Sequence, residues 1–433
     1  MANFDKVIGY RSIISELEKI CDVLVNKDVY SNLGVNALKG VLLHGEPGVG
    51  KTLIAKQSIE ASGRKAFVCR KDEPNGEFVK VIKKTFEDAK ADAPSIIFLD
   101  DMDKFANGDE HHPDAEEYVT VQACIDEICD NEVFVIATAN NIKALPQSLL
   151  RVGRFDRVIF VPNPTGKDAR DIIEYYIKQK KFVGDIDIVA ISRIMSGHSC
   201  AELETIINDA GLYAGYDRSD LITMEHFTKA ALHLIFGVPT YALERAKGYD
   251  LNTCSRIVKQ TIYHEAGHIT VAEMLDPGCV TLSSAYSKRH RSGGFTSYSN
   301  SDEYKCIANE KTSATISLAG MAATEQKLGI YDEGSSSDLN HAFSVISSAV
   351  KENCTISFSL FHSGWNISES LKSKQEEAIS TEVERCYRKA KEILSVNSDF
   401  FEAVAKELAC KGVVTTEDIK AIKEAHPIVP VAI

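Results

Sequence analysis

Residues 40–63 read GVLLHGEPGVGKTLIAKQSIEASG, and the pattern changes twice within them. GVLLHG is a short apolar run bounded by glycines, as in a buried strand. TLIAKQSIEASG reads as a helix closed by glycine. Between them GEPGVGKT, residues 45–52, fits G-x-x-x-x-G-K-[ST] with Gly45, Gly50, Lys51 and Thr52. In that setting the loop, completed by Glu46, Pro47, Gly48 and Val49, wraps its backbone N–H groups around phosphates. Lys51 brings positive charge to the β- and γ-oxygens, and Thr52 brings a hydroxyl to Mg2+. An ordinary glycine-rich turn would not need a strand before it and a helix after it.

The same alternation fills residues 1 to about 163. KAFVCR (65–70), SIIFLDD (95–101), VFVIATAN (133–140) and RVIFVP (157–162) are further apolar runs separated by helical stretches. Such runs predict buried strands of a parallel sheet in an α/β domain. Asp100 and Asp101 end one of them, where an acid needs a partner; magnesium suits Asp100, and Asp101 suits the attacking water. From about 164 to 237 helices take over, with Thr165 as an N-cap and Ser199 and Glu202 at capping-box spacing. A linker is expected over 238–252. Residues 253–433 then read as mainly helical, with β-like interruptions at CVTLSSAY (279–286) and GGFTSYS (293–299). The run TSATISLAGMAAT (312–324) is too short and too rich in small polar residues to span a membrane, and predicts a buried helix.

A chain of 433 residues has room for about two to four domains. Its 44% hydrophobic and 26% charged residues are those of a folded globular protein. The net charge of -13 argues against a nucleic-acid partner. Eleven cysteines without a C-x-x-C pair suit reduced thiols in a cytosol-like compartment. The start, MANFDKVIGYRS, lacks the apolar core of a secretory signal, so a cytoplasmic protein with no membrane span of its own is expected.

The second chemical pattern is TIYHEAGHIT, residues 261–270. Residues four apart on a helix differ by about 40° around the axis, so His264 and His268 project to one side and can share a Zn2+ ion. Glu265 lies beside that line, where it can act as general base towards water that zinc acidifies. A hydrolytic zinc site takes a third protein ligand. Spacing alone leaves Glu325, Asp332, Glu333, Asp338 and His341 all open.

SIIFLDDMD (95–103), ATAN (137–140) and LLRVGRFDR (149–157) together resemble the AAA+ ATPase module. With HEAGH (264–268) downstream, the order is similar to that of the FtsH family of ATP-dependent zinc metalloproteases, from FDKVIG (4–9) to TTEDIKAIKE (415–424). The resemblance implies an α/β AAA+ P-loop ATPase subdomain (1–163) with a helical lid (164–237), the linker (238–252), and a mainly α-helical zinc metalloprotease domain of the M41 type (253–433). It implies ATP as the nucleotide, with the backbone at Ile8 and Gly9 beside adenine. Asn140 would be the sensor of the γ-phosphate, and Arg154 and Arg157 fingers reaching a neighbouring subunit's nucleotide; on residue chemistry alone both arginines suit surface ion pairs equally. Arginines supplied in trans imply a ring of identical chains, which the resemblance makes hexameric. GSSSDLNHA (334–342) matches the segment whose aspartate completes the zinc site, giving Asp338, with His341 as rival and Glu325 behind the ligands.

The sequence departs from that family in three places. Family members usually carry membrane helices ahead of this module and this sequence shows none, so a soluble relative is expected. The acidic pair is Asp100-Asp101 where the family has Asp-Glu, which shortens the arm that holds water. The pore segment is reduced to Phe78-Val79-Lys80, so Phe78 is either a pore grip or a core anchor. The expected function is an endopeptidase that uses ATP to unfold and feed loosely folded or tagged proteins, with GGFTSYS as an edge or an internal strand. Competing readings are a remodelling ATPase whose metal domain only binds clients, and a zinc peptidase that uses ATP only for ring assembly.

Overall fold

The structure, a computed structural model, describes residues 4–35, 38–72, 75–106, 115–128, 131–239, 248–286, 293–299, 307–330, 335–353, 355–362 and 367–432. Two compact units divide the chain, Met1–Ile188 with Met195–Thr223, and Val189–Ile194 with Met224–Ile433.

The first unit holds the five strands expected from the apolar runs: β1 (Gly40–His44), β2 (Lys65–Cys69), β3 (Ser95–Leu99), β4 (Val133–Ala139) and β5 (Arg157–Phe160). They form one parallel sheet in the order β2-β3-β4-β1-β5. β3 and β4 are buried along their whole length, which is why they carry apolar runs rather than alternation. Helices α1 (Arg11–Val25), α2 (Lys27–Ser31), α3 (Lys51–Ser62), α4 (Asn75–Ala91) and α5 (Glu116–Glu127) intervene between strands or precede them. After β5 come α6 (Gly166–Lys178), α7 (Ile188–Ile194, of which all but the first residue belongs to the second unit) and α8 (Cys200–Tyr216). Ser199 and Glu202 form the expected capping box at the start of α8. Thr165 is the N-cap of α6 without a side-chain bond.

Packing decides between the two readings of Phe78. Phe78, Ile82, Phe86 and Ala89 recur at helical spacing along α4, so all four face the core under the sheet. The Phe78 ring is 0% exposed and meets Phe105 edge-on, with centroids 4.8 Å apart. It is a core anchor and offers no grip to a substrate.

The second unit contains α9 (Met224–Leu234), α10 (Arg256–Leu275), α11 (Ile307–Leu328), α12 (Ser336–Lys351), α13 (Glu369–Val396), α14 (Ser398–Lys411) and α15 (Thr416–Ala425). Its strands β6 (Val280–Ser284), β7 (Phe295–Tyr298) and β8 (Val413–Thr415) pair antiparallel in the order β7-β6-β8, so GGFTSYS supplies an edge strand. Ile262, Ile269, Ala323, Ile393, Phe401 and Leu408 meet in the core. The buried Glu273 accepts from the N–H groups of Gly278 and Val280 and pairs with Lys423, which fixes the turn from α10 into β6. No helix among the described residues is long and apolar enough to cross a membrane.

Candidate active sites

At the carboxyl ends of β3, β4 and β1, neighbours in the sheet, the first unit gathers its expected phosphate chemistry. Gly50, with φ 96°, lets the loop turn into α3. The Lys51 ammonium donates to the carbonyls of Gly45 (2.9 Å) and Glu46 (2.7 Å). Burial pushes its pKa below the ordinary lysine value, against the pull of Asp101 and Asp103. Thr52 Oγ1 and Thr138 Oγ1 both donate to Asp100 Oδ1, at 3.0 and 2.9 Å. Thr138 also accepts from the Asp101 N–H at 2.9 Å, so one β4 hydroxyl fixes both acids.

Asn140 Nδ2 donates to Asp101 Oδ1 at 3.3 Å. Lys104 pairs with Asp101 Oδ2 at 2.7 Å. Burial acts to raise the Asp101 carboxyl, but Lys104, Arg70 and Asn140 outweigh it and hold the pKa below the usual value. Asp103 takes the N–H groups of Asn140 (2.9 Å) and Asn141 (3.2 Å) and so holds the turn after β4. Near the start, Gly9 turns against Asp168, and the Tyr10 hydroxyl donates to the Pro162 carbonyl at 2.9 Å, which fixes the Ile8–Gly9 turn beside the end of β5.

The two arginines differ. Arg154 forks onto Asp126 at 2.9 and 2.7 Å and also donates to Ser148 O and Gln122 Oε1 within its own chain. Arg157 stands on the edge strand β5, more than half exposed, 4.0 Å from Glu16.

In the second unit the metal pattern converges. α10 begins at the Ser255 cap and ends at Asp276, before Pro277, and it buries His264, Glu265 and His268. α12 places Asp338 in its first turn, where the helix dipole favours an acid. His264 Nε2 and His268 Nε2 are 3.0 Å apart, and Asp338 Oδ2 lies 3.2 and 3.5 Å from them. Ligand atoms at zinc bond lengths on a tetrahedron stand about 3.3 Å apart, so this donor set fits one Zn2+. The His268 Nδ1 proton goes to Ile316 O at 2.8 Å, which leaves Nε2 with its lone pair for the metal. Burial acts to raise the Asp338 carboxyl, but the imidazoles of His264 and His268 outweigh it and hold it well below the usual range.

His341, the rival ligand, contacts Ser313 Oγ at 3.3 Å and lies outside the cluster. Glu325 accepts hydrogen bonds from the Tyr387 hydroxyl and, at 3.1 Å, from the Lys391 ammonium. Asp332 and Glu333 lie outside the described residues.

Glu265 is 3% exposed. Burial raises its carboxyl pKa, against the neighbouring imidazoles and the Thr296 hydroxyl, which donates at 2.7 Å.

Sequence reasoning missed Gly320, Thr296, Thr138 and Asp103. A Cβ at Gly320 would stand 2.4–2.6 Å from the His264 ring, so α11 can seat that ligand only with glycine there. Its signal was the small-residue run LAGMAA; Thr296 had none. Gly320→Ala should therefore displace His264 and weaken zinc binding by about 10- to 100-fold, read by chelator competition. Wild-type affinity would show that the ring has room to move.

Residues 41–163 match the family described as "ATPase family associated with various cellular activities (AAA)", and residues 254–422 match "Peptidase family M41". The chain is 30% identical to the ATP-dependent zinc metalloprotease FtsH of Helicobacter felis, over 97% of this chain and 69% of that protein. It is 29% identical to the protein of the same description from Mesoplasma florum (97% and 67%). Against that from Halothermothrix orenii it is 27% identical (94% and 68%).

Proposed function

We propose that this chain, which belongs to the FtsH family of ATP-dependent zinc metalloproteases, spends ATP to deliver unfolded protein to the zinc site and cuts it there. The observation that supports this most is the convergence of His264, His268 and Asp338 from two helices, with Glu265 buried beside them. Those three hold Zn2+. When bound, zinc supplies Lewis acidity to water and to the scissile carbonyl, and magnesium does so at the phosphates.

Glu265 takes the proton of the attacking water and passes it to the leaving amine. The edge of β7, outermost strand among the described residues, pairs with the extended substrate backbone. In the ATPase part, Lys51 neutralises the β- and γ-oxygens, Thr52 and Asp100 hold Mg2+, Asp101 orients water and Asn140 reads the γ-phosphate. The Ile8–Gly9 turn borders adenine. Arg157 reaches the neighbour's nucleotide, and Arg154 joins it by leaving Asp126. The assembly is a hexameric ring acting in the cytoplasm on loosely folded or tagged proteins, and its parts divide at residues 163, 237 and 252.

Casein should be degraded with ATP, and not with a non-hydrolysable analogue or after zinc chelation. Degradation that ignores either treatment would overturn the coupled reading.

A further inference from the structure

We propose that Thr296 is a positioning residue: from the edge strand β7 it orients the carboxylate of Glu265, so the strand offered to a substrate also sets the proton acceptor. This rests on the zinc-peptidase reading above.

A carboxylate that is 3% exposed has little water to satisfy it and must take its hydrogen bonds from the protein. Thr296 Oγ1 donates to Glu265 Oε2 at 2.7 Å. Across the sheet Thr296 faces Ser283 of β6, and their hydroxyls are 2.9 Å apart. An ionised carboxylate only accepts, so the Thr296 proton is committed to Glu265, while the Ser283 proton has two acceptors in reach, the Phe295 carbonyl at 3.2 Å and the Thr296 oxygen.

The backbone around Thr296 is pressed into place as well. A Cβ at Gly294 would lie 2.6 Å from Glu265 Cγ, so the strand runs directly over the glutamate. Side chains alternate along a strand, so Phe295 faces away from Thr296. There it stacks on Phe236, with centroids 4.2 Å apart and planes 18° from parallel. With Oε2 taken by Thr296, Oε1 is the oxygen left to receive a proton.

The test compares Thr296→Val, which keeps the shape and loses the hydroxyl, with Thr296→Ser, which keeps it, in the zinc-loaded full chain on a short unstructured peptide. Thr296→Val should lower kcat about 10- to 100-fold with KM within about twofold. Zinc stoichiometry and ATP turnover should not change, and Thr296→Ser should recover most of the rate. A crystal structure of metal-free Thr296→Val should show Glu265 Oε2 moved with β7 in place. Wild-type kcat in Thr296→Val, loss of zinc from it, an effect confined to KM, or a Thr296→Ser variant equally impaired would each overturn the proposal. Glu265→Gln run in parallel separates the two levels. If it still cleaves, the peptidase reading itself fails; if it is inactive while Thr296→Val is normal, only the positioning role fails.

Discussion

Glu265→Gln should lower peptide cleavage by about 10²- to 10⁴-fold while zinc stoichiometry and ATP turnover stay at wild-type levels. Glutamine has the same shape and can still accept the Thr296 hydroxyl through its carbonyl oxygen, so β7 keeps its anchor. The zinc donors His264, His268 and Asp338 are untouched. What disappears is the buried carboxylate beside them that can take a proton, whose pKa burial raises. The measurement is peptide turnover, with metal content and ATPase assayed on the same preparation. Retained cleavage would remove Glu265 from the chemistry, and lost zinc would make its role structural.

Lys51→Ala should reduce ATP turnover on the order of 100-fold or more and stop degradation of casein, yet spare cleavage of short unfolded peptides. The Lys51 ammonium is buried inside the loop, where it is held by the Gly45 and Glu46 carbonyls. Its removal takes from the phosphates a preorganised charge that no other loop residue supplies. A short peptide needs no unfolding, so its cleavage depends only on the second unit's zinc site and on an assembled ring, which size-exclusion chromatography monitors. If assembled Lys51→Ala rings degrade casein normally, ATP serves assembly alone. If they lose short-peptide cleavage as well, the nucleotide acts on the peptidase site itself.

These predictions draw on residues of two kinds. The phosphate loop, the acids ending SIIFLDD and the pair His264 and His268 were legible because each chemistry is written in one contiguous stretch: a turn, a strand end, one face of a helix. The apolar runs that became β1, β3 and β4 were equally plain, because a strand buried on both faces excludes polar residues, whereas β2 and β5, expected as buried strands, stand at the sheet edges and are partly exposed. β8, three residues long, was not seen, because Val413–Thr415 is a strand only by pairing with β6.

Local sequence likewise left Phe78 open between grip and core, since an aromatic at helical spacing is the same letter in either case; packing against Phe105 and the sheet made it core. Spacing offered five candidates for the third zinc ligand, and the resemblance favoured Asp338. The fold brings the first turn of α12 to the histidines while leaving His341, one turn on, against Ser313. Thr296 could not be recognised from its neighbours in sequence, and Gly320 left only the small-residue run LAGMAA as a signal. A glycine is required where a ring from another helix needs its space, and a hydroxyl where a buried carboxylate from another element needs its proton. Chain order thus specifies the reactive groups that lie within one turn or strand, whereas groups that act across elements acquire their roles from long-range packing, which no local pattern records.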